Sequence, residues 1–527
     1  MYGKPDIEKT LQLLHHKKPQ ENSEISFSYN VTFDGVNPFI STGTAPFIIK
    51  SYLYDSMMFR SPAEPFTLYP LIVKVAEVPK DRTYVVFEVT EDAAFDDGTQ
   101  ITSEDILFTF NLLKNKGRYN YQVAYKDVSA EIISPRKIKF HIHNGNRELP
   151  LILGLMPVFS KAQNEDAFLR QSMEPVMAAR AFQIHDLVPG KTIHLTRNPN
   201  YYGKDHPLSC LRFHFDHVKI EFFRNEQAAF ESLRAGQIDF FYERDLTRLN
   251  RSYDFLDDKG GAYKRYEVPT GYPSGLYGFV FNTRRSPWND IALRRVISDI
   301  FSFDMLNRYY LYNTEQQIKS IFMRSDQSDY QKKSDEDLTT HRMKLEKAFL
   351  ALKEAGYHFE NGVLHDANHQ KIKLNILLSK PKEEKYALFL QWMLKDIGIE
   401  TAIHTVDDSL YQKRLKHYDY DMIIDHRYVS GSPGIEQRNF WGCTGRTTEG
   451  TRNYAGICDS DIEAALEALD KARTKKELQA AISEIDKNVM EGHYYIPLEA
   501  RLNHHIIARK DLALSPYGVD YFYRKNI

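Results

Sequence analysis

Cysteine is scarce in this chain: three residues, Cys210, Cys443 and Cys458, in a total of 527. That excludes a small disulfide-built scaffold, where cysteine exceeds about 8% of the residues. A surplus of either charge is also absent. Lys and Arg number 69 against 71 Asp and Glu, a formal net charge of −2, so there is no global electrostatic footprint for nucleic acid. Long apolar runs are missing. The longest, Leu149 to Phe159, contains Pro150, Gly154 and Pro157 and falls short of the roughly 20 residues a membrane span requires. The opening MYGKPDIEKT is polar within ten residues and lacks a signal-peptide pattern, so the expectation is a cytosolic protein or the processed form of an exported one. Internal repeats and low-complexity tracts are not found, which excludes solenoids and linker-like chains.

Most catalytic signatures are missing too. The chain has no Gly-x-Ser-x-Gly elbow, no His-Glu-x-x-His, no Walker loop and no Gly-x-Gly-x-x-Gly. Ser-x-x-Lys occurs at Ser134–Lys137 and Ser379–Lys382 without its Ser-Asp-Asn or Lys-Thr-Gly partners. His141 and His143 sit two apart on one strand face, and His15-His16 and His504-His505 are adjacent pairs. None has cysteine or acidic partners at ligand spacing, so these read as surface histidines. Asp and Glu are plentiful, so a catalytic carboxylate pair stays open, although nothing in the spacing favours one and no motif calls for a metal or a cofactor.

What is present is a globular composition: 42% apolar and 27% charged residues. Length alone suggests three to four domains at about 150 residues each. Aromatics are abundant, with 33 Tyr and 32 Phe but only 3 Trp. Either a large core with tyrosines on its rim or an aromatic-lined cleft for an organic ligand accounts for them. Residues 82–90 and 137–143 alternate as strands, with Ile138, Phe140 and Ile142 on one face; 218–223 and 372–378 also read as strands. Thr102 to Asp105 caps a helix, Met343, Leu345, Ala348, Phe349 and Leu352 form a helical apolar face, and Thr474 to Glu477 is a capping box before Leu478, Ile482, Ile485 and Val489. Helices and strands without a regular βαβα alternation imply α/β lobes with mixed sheets.

Cys443 and Cys458 bracket a Gly- and Thr-rich segment, TGRTTEGTRNYAGI, with few apolar residues to fix it. A disulfide there contributes about 3 kcal/mol in the chain-entropy picture and points to an oxidising compartment; two free thiols are the alternative. Cys210 is left over.

Four segments, in order, carry more. They are residues 34–45 (DGVNPFISTGTA); Phe87 to Gly98 followed by Ile101 to Asp105; Leu195-Thr-Arg-Asn198-Pro-Asn-Tyr201-Tyr-Gly203; and Gly278-Phe-Val-Phe-Asn282 through Asp290 with the helix that follows. Over about residues 25–525 the chain resembles the extracellular solute-binding proteins of the peptide and nickel cluster, the periplasmic oligopeptide-binding components of ABC importers. Met1-Tyr-Gly-Lys, Gly278 to Arg285, Ser432-Pro-Gly-Ile-Glu-Gln-Arg-Asn-Phe-Trp441 and Asn453-Tyr-Ala-Gly-Ile457 are most similar to the YejA type.

The resemblance implies a two-lobed periplasmic-binding-protein fold of α/β class, with a two-strand hinge and an extra domain on the first lobe. Lobe I would comprise 1–50, 178–272 and 494–527, the extra domain 51–177, and lobe II, which closes on the ligand, 273–493. Crossings would fall near Thr270–Leu276 and His493–Leu498. It also implies a monomer in the periplasm that clamps an oligopeptide between its lobes, peptidoglycan-derived or antibiotic peptides among the candidates, and hands it to permease subunits driven by cytoplasmic ATPases. Competing readings are a peptide-sensing receptor or chaperone-like binder on the same fold, a peptide or glycan hydrolase, and a nickel or haem cargo.

Carried over residue by residue, the ligand-binding candidates are Thr42, Gly43 and Thr44; Tyr272, Ser274 and Gly275 at the first crossing; Arg427, Tyr428, Ser430 and Ser432; and Arg438 with Trp441. Gly43 permits close backbone approach, and an arginine in a dry cleft can hold a carboxylate through two parallel hydrogen bonds. General oligopeptide binders place an Asp in the segment corresponding to 424–436 to hold the peptide amino group. Here that position falls near Ser430 or Gly431, and the nearest acids are Asp425 and Glu436.

Overall fold

The computed structural model of the protein describes residues 23–29, 32–40, 44–60, 67–143, 146, 148–163, 165–206, 214–256, 261–270, 273–323, 328–330, 341–431, 433–434, 436–500, 502–515 and 518–524. The chain forms two compact units, Tyr2–Gly271 with Asn503–Ile527, and Tyr272–Leu502.

In the first unit, a seven-stranded mixed sheet runs in the order Tyr263–Pro269, Asn503–Arg509, Phe240–Glu243, Glu24–Tyr29, His217–Phe222, Thr192–Arg197, Phe182–Val188. Glu24–Tyr29 is parallel to both its neighbours, and every other pairing is antiparallel. Successive side chains leave a strand on opposite faces. Phe240 and Ile506 accordingly join one core while Phe241 and Ile507 join another, with Phe230 and Leu233 of a short helix. A second sheet, Val73–Glu77, Tyr84–Val89, Lys137–Ile142, Val128–Ser134, is wholly antiparallel. The expected alternation holds here: Ile138, Phe140 and Ile142 are buried, and Phe140 packs edge-on against Phe87 and Phe110. Phe110 belongs to the helix Ser103–Lys116, where the Thr102 amide and hydroxyl both donate to Asp105 Oδ2. Segment 51–177 has this sheet of its own, yet one continuous core joins it to the seven-stranded sheet.

The second unit holds a five-stranded sheet in the order Glu400–Thr405, Lys373–Leu378, Met422–Arg427, Leu276–Phe281, Tyr495–Pro497. The first three strands are mutually parallel, and Leu276–Phe281 runs antiparallel to both its neighbours. All six residues of Leu276–Phe281 are buried, as a central strand covered on both faces requires. The expected boundary at 493/494 moves to 502/503, because Tyr495–Pro497 pairs with Leu276–Phe281 and so belongs to this unit. Of the apolar face expected on the helix His341–Glu354, only Ala348 and Leu352 are buried; Met343 and Phe349 are exposed.

The helix Lys475–Glu491 begins at the Thr474/Glu477 capping box and buries Leu478, Ile482, Ile485 and Val489. It also buries Asp486, which accepts hydrogen bonds from the Ser320 hydroxyl (2.6 Å) and the Ile321 amide (2.9 Å). Burial raises its carboxyl to about 6 against those bonds, which pull the other way. The folded state therefore binds this proton more tightly than the unfolded chain, and stability is lost as pH climbs from about 4 through 6. On passing from pH 7 to 4.5, the wild type should gain about 2 kcal/mol over Asp486→Asn in urea unfolding. A pH-independent difference between the two would refute this assignment.

Candidate functional site

In open sheets of largely parallel strands, ligands bind outside the carboxyl ends of the strands. In the second unit that edge carries Ser274, Gly275, Arg427, Tyr428 and Ser430, five of the twelve residues singled out from sequence. Leu276 pairs with Arg427 and Tyr277 with His426, which brings Ser274 and Gly275 beside the 427–430 turn. Gly275 has φ +68, and a Cβ built there collides with the Arg427 carbonyl, so glycine lets the two backbones close up. Ser274 is buried, its hydroxyl directed at the Ser320 carbonyl (3.1 Å). Tyr428 stands 77% exposed with its ring 4.0 Å from that of His426, which in turn lies 5.5 Å from Tyr277. Tyr277 meets Tyr386, whose hydroxyl donates to Glu499 (2.7 Å). The result is a row of rings at the strand ends that runs from the surface into the core: Tyr428 is exposed, His426 half-buried, and Tyr277 and Tyr386 buried, with Ser430 half-buried two residues beyond Tyr428.

Arg427 departs from the expectation. It is not in this row but beneath it, with its side chain 2% exposed. Its Nη2 donates to Asp425 Oδ2 at 2.8 Å, and its guanidinium lies over Phe440 (4.4 Å), Trp441 (5.1 Å) and Tyr454 (5.3 Å). Burial opposes the charge, but Asp425 outweighs it and holds the guanidinium above its ordinary pKa. Nε and Nη1 have no hydrogen-bond partner among the described residues, nor does the neighbouring Tyr495 hydroxyl, which burial pushes well above the usual tyrosine range. Arg427 is thus a ring-enclosed internal cation.

Two further expectations are corrected. Arg438 is a salt-bridge residue, held by Asp470 (2.7 Å) and Glu463 (3.4 Å). Trp441 is fully buried, donating to Gln437 (2.8 Å) and packed on Tyr495. Both follow from the short helix Glu436–Trp441, which turns Trp441 inward and Arg438 towards the helix Ser460–Lys471. Asp425 is engaged by Arg427, and Glu436 accepts from the Gly434 amide. Thr44 lies in the first unit, where its amide donates to Asp34 and its carbonyl accepts from the Asp34 amide. Thr42, Gly43, Tyr272, Ser432 and Cys210 lie outside the described residues.

Cys443 and Cys458 form a disulfide. The segment between them is not held by the disulfide alone. Arg284 donates to the carbonyls of Arg446, Gly445, Asn453 and Tyr454, Arg446 reaches back to Thr283 and Gly456, and Asn453 bridges Gly442 and Ile457.

One cluster escaped the sequence reading. The antiparallel strands His358–Glu360 and Val363–His365 are joined by Asn361-Gly362, both with positive φ, the signature of a tight hairpin. His358 Nε2 and His369 Nδ1 lie 2.9 and 2.6 Å from Glu360 Oε1 and 3.1 Å from each other. Hydrogen bonds from His369 and then His358 hold the Glu360 carboxyl down at about 2. The signal was there in HFENGVLHDANH: Asn-Gly folds the strand back, setting His358 opposite His365. By contrast, His141 and His143 pair with Glu131 and Ser129 on a strand surface.

This combination of a seven-stranded mixed sheet, an added antiparallel sheet and a second α/β unit inserted before the final strands is that of the two-lobed periplasmic binding proteins. The oligopeptide-binding protein AppA of Bacillus subtilis, solved in complex with a nonapeptide, shares it with a TM-score of 0.74 at 18% identity, covering 97% of this chain and all of that one. The family model described as bacterial extracellular solute-binding proteins, family 5, middle region, matches residues 67–448. The chain is 33% identical to the peptidoglycan-binding protein YepA of Agrobacterium fabrum over 94% of its own length and 89% of that protein's, and 28% identical to a protein of the same organism described as "Probable peptide-binding protein YejA", over 91% and 84%. The chain belongs to the family 5 extracellular solute-binding proteins. No described helix is long and apolar enough to cross a membrane.

Proposed function

We propose that the protein is the periplasmic substrate-binding component of an ABC importer for oligopeptides, with peptidoglycan-derived peptides as its substrate class. The observation that carries this reading is the likeness to a peptidoglycan-binding protein across nearly the whole chain. The strand-end row suits such a ligand: the exposed Tyr428 ring and the half-buried His426 can cover its side chains. Asp425 is tied to Arg427, so a carboxylate for the peptide amino group has to come from elsewhere. The ligand is bound and released intact.

Native mass spectrometry of the protein as purified, followed by calorimetry with a murein tripeptide and with a tripeptide of ordinary L-residues, tests the proposal. Saturable binding of the murein peptide, at least tenfold tighter than the control, is expected. Equal affinities would remove the substrate class, and cleavage of either peptide would remove the transport role.

A further inference from the structure

We propose that His358, Glu360 and His369 form a site for one divalent transition-metal ion of the zinc type, on a surface hairpin of the second unit. Three donor atoms already converge: two imidazole nitrogens and one carboxylate oxygen, with separations of 2.6, 2.9 and 3.1 Å. Ligands at about 2.0–2.1 Å in a tetrahedral zinc site lie roughly 3.3 Å apart. The three separations therefore need to open by roughly 0.2 to 0.7 Å to admit the ion. Two imidazoles and one carboxylate suit Zn²⁺, Ni²⁺ or Cu²⁺ rather than the all-oxygen shells of Ca²⁺ or Mg²⁺.

Two further observations show that the donors are held in place. First, the supporting residue His365 is 96% buried, its Nδ1 lies 3.0 Å from the Val363 carbonyl, and its Nε2 lies 3.8 Å from Glu360 Oε2, so a fixed ring backs the carboxylate. Second, the loop presenting His369 is clipped in place. Asp366 Oδ1 accepts from the Asn368 and Gln370 amides, both at 2.9 Å, and His369 itself is held at φ +60. A residue other than glycine in that conformation is uncommon and is fixed by its surroundings. The His369 ring is 73% exposed, which leaves an outward position for water, as in sites with three protein ligands. All ligands lie within one hairpin and its following turn, so the site stands apart from peptide capture.

The test is calorimetric titration of Zn²⁺ into tag-free, chelator-treated full-length protein near neutral pH, with Co²⁺ absorption as a second readout. A one-equivalent saturable phase is expected, weakened at least about tenfold in both Glu360→Gln and His369→Asn and unchanged in His141→Ala. Asparagine tolerates the left-handed backbone at 369, so the turn survives that change. Absence of a saturable phase, or a phase equally strong in all three variants, overturns the proposal. Because the readout is metal binding alone, either result leaves the peptide-binding proposal to its own experiment.

Discussion

Arg284→Ala should lower the unfolding free energy by about 4 kcal/mol or more, the largest loss expected from any single side chain discussed here. The guanidinium donates to the carbonyls of Arg446 (2.6 Å), Asn453 (2.8 Å), Gly445 (3.1 Å) and Tyr454 (3.2 Å), and its plane lies 3.6 Å from the Tyr418 ring centroid. Removing it strands several partly buried acceptors together, each worth about 1–3 kcal/mol, although such costs do not simply add. Arg284→Lys should recover little, since an ammonium cannot spread its donors over four carbonyls in one plane. The neighbouring backbone is fitted to this side chain: a Cβ on Gly456 would sit 2.8 Å from Arg284 Nη1. Urea unfolding with the disulfide intact gives the number, and a loss below about 1 kcal/mol would show that the disulfide, not Arg284, fixes the segment.

Arg427→Met should cost about 3–5 kcal/mol, because it leaves Asp425 charged and unpaired inside the protein. Its partner change makes the test specific. Asp425→Asn combined with Arg427→Met removes both charges and should regain much of the loss, a coupling that a double-mutant cycle measures directly. The alternative, in which the guanidinium grips a ligand carboxylate, has the opposite signature: peptide affinity falls at least tenfold while stability stays unchanged. The 2% exposure of the side chain and the three rings around it favour the first outcome.

Strands with strict alternation were legible from sequence. Lys137–Ile142 announces itself because apolar residues recur every second position, Lys373–Leu378 because it ends in a short apolar run, and the capped helices at Ser103 and Lys475 because their first-turn chemistry is local. Family likeness supplied the architecture, and the strand pairing places the 274–275 and 427–430 segments that it singled out beside one another. It did not supply side-chain direction. Arg427, Arg438 and Trp441 are polar or aromatic residues in a segment where the likeness leads one to expect ligand contacts, but a strand end and a six-residue helix rotate them inward or towards Asp470, and rotation about a short element cannot be read from composition. The late crossing was misplaced for a related reason: Tyr495–Pro497 pairs with a strand more than two hundred positions earlier, and no local pattern encodes that partner. The histidine hairpin has no helical or finger spacing to mark it, because His358, Glu360 and His369 meet only across an Asn-Gly turn and the loop after it.

The strand Asn503–Arg509 lies between Phe240–Glu243 and Tyr263–Pro269, and hydrogen-bonds to both. The first unit must therefore wait, with two strand flanks bare, until the stretch beyond residue 502 joins it. Such waiting makes folding slow and exposes sticky edges, so a nascent chain stalled before position 503 would be a natural client for holding chaperones and a poor candidate for independent expression.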